Sequence, residues 1–180
     1  YGFTKGLIDY GGFNPNEKKA LIFGAGGAAR AAAFGLVNQK VSSLTIVNRN
    51  YERAQSLSNE LMNHGFTCFA KSLDYENIQD IIAQSDLIVN STPLGMDKHN
   101  EERMSILNSN KLKKSTYVYD LVYSPIQTPL IKQANLVGAK ALGGLPMLIY
   151  QGASAFTMWT SREAPVELMF EAANKALNIK

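Results

Sequence analysis

The stretch Leu21-Ile22-Phe23-Gly24-Ala25-Gly26-Gly27-Ala28-Ala29-Arg30 decides the fold. Three large apolar residues read as a buried strand, the glycines as a tight turn, and the alanines as the start of a helix. Gly24, Gly26 and Ala29 stand at the spacing of the G-x-G-x-x-G/A fingerprint for dinucleotide binding. Gly24 permits the turn, Gly26 lets a pyrophosphate approach the backbone, and Ala29 lets the helix lie close on the strand. The N–H groups from Gly26 to Ala29 form an anion site at the helix start. The same spacing also occurs where glycines serve only packing, so the neighbouring sequence has to arbitrate.

A second strand, Leu44-Thr45-Ile46-Val47, falls where a βαβ unit of roughly 30 residues places it. It ends in Asn48-Arg49-Asn50, with Arg53 one turn further on. An acidic residue at this strand end would accept from the ribose 2′-hydroxyl of NAD. A guanidinium instead suits a 2′-phosphate, so NADP is the expected cofactor. The alternative is a solvated helix start. Against it, a positive charge at a helix N-terminus is unfavourable without an anion to meet it.

The 180 residues suffice for one domain with a proper core. A hydrophobic fraction of 46%, a charged fraction of 18% and a net charge of +3 are ordinary for a globular domain and give nucleic acid binding little support. The nearest approach to a basic run, Lys111 to Lys114, reads as a solvated loop or helix end. The single Cys68 excludes an intrachain disulfide and a Cys-rich metal site, and reads as a small core residue. His64 and His99 lie in polar turns far apart, which argues against a metal. No apolar run of roughly 18 residues and no signal peptide are found, so no membrane span and a cytoplasmic setting are expected.

Strands and helices alternate along the chain. A helix is expected before Gly11-Gly12, then helices over about 27–38 and, capped by Asn50 and closed by Gly65, over about 51–64. A short third strand is expected near Phe66, a helix over about 75–84, strands at 87–89 and 117–122, a helix over 128–137 and a sixth strand at 139–142. Two helices, about 147–160 and 165–177, finish the chain. Pro165 suits a first helical position, and Val166, Met169, Phe170, Ala173 and Leu177 make one stripe. Residues 97–115 form the longest polar connection. This pattern implies an α/β fold: a doubly wound parallel sheet of about six strands, Rossmann-like, with C-terminal helices.

Function in such a sheet sits at the carboxyl ends of the strands. Three ends stand out: Asn90-Ser91-Thr92-Pro93-Leu94-Gly95-Met96, then Asp120-Leu121-Val122-Tyr123-Ser124-Pro125 followed by Thr128-Pro129-Leu130, then Gly143 through Ala153. Each taken alone could be turn material, and Gln151 alone could be a surface residue. Together they are harder to dismiss.

At these residues the chain resembles the NADP-binding, C-terminal domain of shikimate dehydrogenases. The matching pieces are Gly24 to Arg30, Asn48-Arg49 with Arg53-Ala54, Asn90 to Met96, Asp120 to Tyr123 with Pro125, Gly144 to Ala153, and Trp159-Thr160. Two departures are conservative: Asn50, where the family usually has Thr, and Pro146, often Gly, which stiffens the turn before the helix. The resemblance implies that Gly24, Ala25, Gly26, Gly27 and Ala28 hold the pyrophosphate. It implies that Asn48, Arg49, Asn50 and Arg53 surround the adenosine 2′-phosphate, and that Ser91 and Thr92 run beside the ribose and nicotinamide. Leu121 would pack on the nicotinamide, and Gly144 and Met147 would help position it. Tyr123 and Gln151 would reach the substrate's carboxylate and hydroxyls; for Tyr123 the alternative is a strand-end residue capping the core.

The family's catalytic Lys and Asp lie in an N-terminal substrate domain, the Asp in an Asn-Thr-Asp motif just before the segment matching Tyr1-Gly2-Phe3. No residue of this chain stands in that context, so no catalytic residue is expected here. Lys5 and Asp9 read as surface residues and Asp120 as a structural or cofactor-side group. The expected partners are the small-molecule substrate and that N-terminal domain, which residues 1–12 and the helices of 146–180 would face. Two alternatives are a quinate-type dehydrogenase of broader specificity and a non-catalytic nucleotide-binding module.

Overall fold

The computed structural model describes residues 1–96 and 111–177. Six strands form one parallel sheet: β1 (Lys19–Phe23), β2 (Ser43–Asn48), β3 (Cys68–Ser72), β4 (Leu87–Asn90), β5 (Tyr117–Asp120) and β6 (Lys140–Leu142). Their spatial order is β3-β2-β1-β4-β5-β6, so the winding reverses between β1 and β4. That reversal is the topological switch point at which ligands of such sheets bind. The connections include α2 (Gly27–Asn38), α3 (Tyr51–Asn63), α4 (Ile78–Gln84) and α5 (Pro129–Leu136). Much of the segment 97–115, and His99 within it, lies outside the described residues.

The strands alternate with period two between the two faces. Ile22, Leu44, Ile46, Val89 and Tyr119 pack with Ala29, Ala32, Ala33, Leu36, Ala54, Leu57 and Leu61 on one side. Leu21, Phe23, Val47, Ile88 and Val118 pack with Ile82, Leu130 and Ala134 on the other. Burial on both faces explains why the central strands read as unbroken apolar runs. Each fully buried large side chain contributes about 1.5–3 kcal/mol.

The expected helix at the start is α1 (Gly2–Lys5), continuing as a π-helical segment (Gly6–Tyr10). It lies between α2 and α6 (Leu145–Thr160), with Phe3 stacked on Tyr119 at 5.2 Å between ring centroids. A Cβ on Gly2 would come within 2.6 Å of the Met147 carbonyl oxygen, and one on Gly6 within 2.4 Å of the Tyr119 hydroxyl. The two helices meet closely because these positions carry no side chain.

Several expected boundaries move. β3 starts at Cys68 rather than near Phe66, and α4 at Ile78 rather than near Tyr75. β5 stops at Asp120 because the next free backbone N–H, that of Val122, turns back to the Asp120 carboxylate at 3.1 Å. Pro146 sits within the first turn of α6, where a missing N–H costs nothing, rather than in a turn before it. Pro165 precedes α7 (Val166–Ala176) as its cap instead of opening it. The stripe on α7 faces α6, yet none of its residues is fully buried.

Cys68 is buried, as its sequence setting suggests, and burial pushes its thiol pKa up. A thiol reagent should therefore label native protein far more slowly than urea-unfolded protein; equal rates would show that β3 opens readily. A folded-state pKa above the unfolded value of about 8.5 also means that this contribution to stability is complete below that pH and lost above it.

Candidate nucleotide site at the strand ends

β1 ends at Phe23, and Gly24 turns the chain with φ +108°, a conformation that glycine adopts freely. A Cβ there would also lie 2.4 Å from Ser91 Oγ. Gly26 differs. Its backbone (φ −94°, ψ −166°) is open to any residue, and beyond its chain neighbours no atom of the described residues lies within 4 Å of where its Cβ would be. The same space is open above Gly27. Neither strain nor packing requires glycine at 26; the bare backbone leaves a cradle at the start of α2, and the N–H groups there fit an anion. Arg30, although inside the fingerprint stretch, turns away to pair with Glu60 of α3 through both guanidinium NH groups.

β2 is the neighbour of β1, with Phe23 opposite Val47. Its end is shaped by Asn48, whose Nδ2 donates to the Asn50 carbonyl at 2.8 Å. Asn50 caps α3: its Oδ1 accepts from the Arg53 backbone N–H at 2.9 Å, and its NH2 group has no partner among the described residues. Arg49 and Arg53 are exposed and have no ion-pair partner among the described residues. Two unpaired guanidiniums at the N-terminus of α3 are electrostatically costly until an anion meets them. The helix cap thus aims this cluster at the same end of the sheet as the glycine cradle.

Across the switch point, the ends of β4 and β5 are locked together. Asn90 and Asp120 stand opposite each other in register. The buried Asp120 carboxylate accepts from Asn90 Nδ2 (2.8 Å), Val122 N (3.1 Å) and Thr128 Oγ1 (2.6 Å). Burial holds its pKa above the ordinary carboxylate range, opposed by these three donors. Asn90 Oδ1 in turn accepts from Thr92 N (3.1 Å) and Thr92 Oγ1 (2.6 Å), and Ser91 Oγ donates to the Phe23 carbonyl at 2.7 Å. Ser91 and Thr92 are thus held by hydroxyl hydrogens already committed inside the chain.

Leu121 is half-buried, and Gly144 N donates to the Val122 carbonyl at 3.0 Å. A Cβ on Gly144 would fall 2.1 Å from the Leu121 carbonyl oxygen. Gly144 is therefore required for α6 to start against the β5 loop, whatever else it touches. Gly144→Ala should cost about 1–3 kcal/mol by overpacking, read as a lower urea midpoint at unchanged slope; wild-type stability would mean that the contact is looser than drawn. Met147, one turn into α6, is half-buried beside it. Tyr123 is 41% exposed, which corrects the core-capping alternative. Gln151 is exposed too, and among the described residues neither side chain has a hydrogen-bond partner.

Known proteins match this arrangement. The family description "Shikimate / quinate 5-dehydrogenase" matches residues 11–132, and "Shikimate 5'-dehydrogenase C-terminal domain" matches residues 144–173. The chain belongs to the shikimate/quinate 5-dehydrogenase family. Within that family it is 40% identical over 172 residues to the shikimate dehydrogenase (NADP+) of Methanopyrus kandleri, covering 95% of this chain and 59% of the relative. The crystal structure of the Listeria monocytogenes enzyme with shikimate and NAD superposes with TM-score 0.84 at 33% identity, over 96% of this chain and 61% of that one. That of the Thermus thermophilus enzyme with NADP(H) and shikimate gives 0.80 at 33% identity, over 98% and 61%. The chain spans about three-fifths of the length of these relatives.

For this member of the family, sequence reasoning placed Asn90 and Thr128 in the strand-end stretches without a role of their own and read Asp120 only as a structural or cofactor-side group. Asn90 and Asp120 do carry a signal, a polar residue at the end of each of two adjacent buried strands. Their pairing depends on strand register, which no local motif encodes.

Proposed function

We propose that this chain is the NADP(H)-binding part of a shikimate dehydrogenase, which reversibly reduces 3-dehydroshikimate to shikimate. The observation that carries this reading is the conjunction of an unfilled Gly26 cradle with an unpaired Arg49/Arg53 cluster at adjacent strand ends. In it, Gly24 to Ala28 hold the pyrophosphate, and Asn48, Arg49, Arg53 and the NH2 of Asn50 surround the 2′-phosphate. Ser91 and Thr92 line the ribose and nicotinamide side, Leu121 packs on the ring, and Gly144 and Met147 shape its far edge. Tyr123 and Gln151, with polar groups unspent, reach the substrate. Bound NADPH supplies a hydride. The chain's own residues orient the cofactor and wall off one side of the substrate.

Proton transfer belongs elsewhere in this proposal. Lys5 is committed to Asp9 at 2.5 Å and Asp120 to three internal donors. We assign the general acid–base to a second, substrate-carrying domain. The apolar residues left exposed on α6 and α7, among them Trp159 at 83%, Met158 at 73% and Leu168 at 61%, support placing that domain against them and α1. A reducing, cytoplasmic setting is part of the same reading, and the unpaired Cys68 is compatible with it.

Titration of residues 1–180 with NADPH and NADH, followed by assay with shikimate and with quinate, tests this. Expected are preference for NADPH and turnover at least about 10²–10⁴-fold below a whole enzyme, the usual cost of a missing acid–base. Equal binding of the two cofactors would overturn the NADP assignment, and normal turnover the division of labour.

A further inference from the structure

The amino ends of β5 and β6, at the opposite end of the sheet from the glycine turn, border a cavity of about 250 Å³. Tyr117 and Lys140 are the first residues of these two strands and stand side by side in register. Phe13, Lys114, Ser115 and Thr116 line the space with them. The Phe13 and Tyr117 rings meet at 4.8 Å between centroids and give it an apolar wall. Lys114 lays its methylenes along the turn at Gly138, 3.6 Å from where a Cβ there would stand. Lys114 and Lys140 are both exposed. Among the described residues no carboxylate lines the cavity, and neither ammonium has an ion-pair partner. Tyr117 and Thr116 spend their hydroxyl hydrogens on the Gly11 and Ser85 carbonyls, at 3.0 and 3.2 Å. That leaves two ammoniums and the Ser115 hydroxyl to donate. A concavity lined by charge of one sign, with low-dielectric walls, focuses its field and gathers counter-ions. The volume falls just under the range of about 300–1,000 Å³ usual for small-molecule sites, so it suits one ring and not a dinucleotide.

We propose that this cavity is a second ligand site, for a small aromatic carboxylate, with the ring against Phe13 and Tyr117 and the carboxylate between Lys114 and Lys140. It shares no residue with the nucleotide site and does not depend on the cofactor reading. The two ammoniums alone would take any anion, and the rings alone any flat apolar molecule. Together they select a molecule that carries both features. Benzoate is the probe. Benzamide, the same ring without the charge, and inorganic phosphate, the charge without the ring, are its controls.

Backbone amide shifts of residues 1–180 are followed by NMR as each probe is added. The expected result is that benzoate moves the amides of Gly12, Ser115, Thr116 and Lys140 saturably, in the low millimolar range, while Gly26 stays still. Its affinity should be the same within twofold whether or not NADPH is present. Benzamide and phosphate should each bind at least tenfold more weakly. Lys114→Met and Lys140→Met keep the stems and remove the charge, so each should weaken benzoate at least fivefold, and the double variant should show no saturation. Absence of saturable shifts around this cavity would overturn the proposal, as would shifts confined to Tyr123 and Gln151. Benzamide or phosphate binding as tightly as benzoate would overturn it too, because one of the two features would then be idle. So would Lys→Met variants that bind benzoate like wild type. If a variant does not fold, the three probes on wild type decide.

Discussion

Gly26→Asp should abolish NADPH binding by this chain while leaving its melting temperature equal or higher. The two halves of that expectation come from the same geometry. Beyond its chain neighbours no atom of the described residues lies within 4 Å of the position a Cβ would take, and the backbone there is open to any residue. Gly26 is also the N-cap of α2 and makes no side-chain cap. Aspartate is among the best N-cap residues, and its charge suits the positive end of a helix. The fold therefore gains from the change. The ligand loses, because the carboxylate takes the N–H groups and the space that the pyrophosphate would use. Each charged hydrogen bond forfeited is worth about 1.5–3 kcal/mol, so a loss of at least about a hundredfold is expected.

Gly24→Ala is the contrasting control. It meets both a left-handed φ and Ser91 Oγ, and should lower stability by about 1–3 kcal/mol. Calorimetry and a fluorescence titration on both variants suffice. NADPH affinity retained in Gly26→Asp would show that the cradle is not the pyrophosphate site.

Arg49→Ala with Arg53→Ala should lower NADPH affinity by about 10–100-fold per guanidinium, from the same energy per charged bond at 1.4 kcal/mol per factor of ten. NADH affinity should stay within twofold, because the adenosine of NAD carries no 2′-phosphate for them to meet. Both guanidiniums are exposed, so the wild-type preference should also weaken as salt rises and the double variant's should not. Removing two unpaired cations from the start of α3 should leave the helix as stable or slightly more so. Parallel titrations at low and high salt provide the check. Equal loss of NADPH and NADH would mean that these side chains shape the turn after β2 rather than recognise the phosphate.

What could be read in advance divides along a physical line. The glycine turn, the Asn50 cap and the alternation of about six parallel strands with helices all follow from features close in sequence, namely the spacing of Gly24, Gly26 and Ala29, a capping side chain, and apolar runs separated by helical segments. Features that depend on one strand meeting another were not legible. Asn90, Asp120 and Thr128 come together only because β4 and β5 pair with Asn90 opposite Asp120. The need for glycine at 144 likewise arises from the Leu121 carbonyl. The partner of Arg30, at the end of the fingerprint stretch, was not legible either, since its guanidinium finds Glu60 on another helix. The half-covered stripe of α7 reads in sequence like any buried one, since periodicity reports a preference for apolar company and not whether that company is present.

The fit of α1 against α6 bears on how this polypeptide is made. α1 is translated long before α6, and the glycine faces that let them touch have nothing to rest on until the later helix leaves the ribosome. Until then Phe3 and Leu7, both fully covered in the finished fold, are displayed to solvent. Contacts so distant along the chain are the slow ones to form, and apolar residues waiting for them invite chaperones or self-association. A segment made well before its partner is thus secured only when that partner arrives.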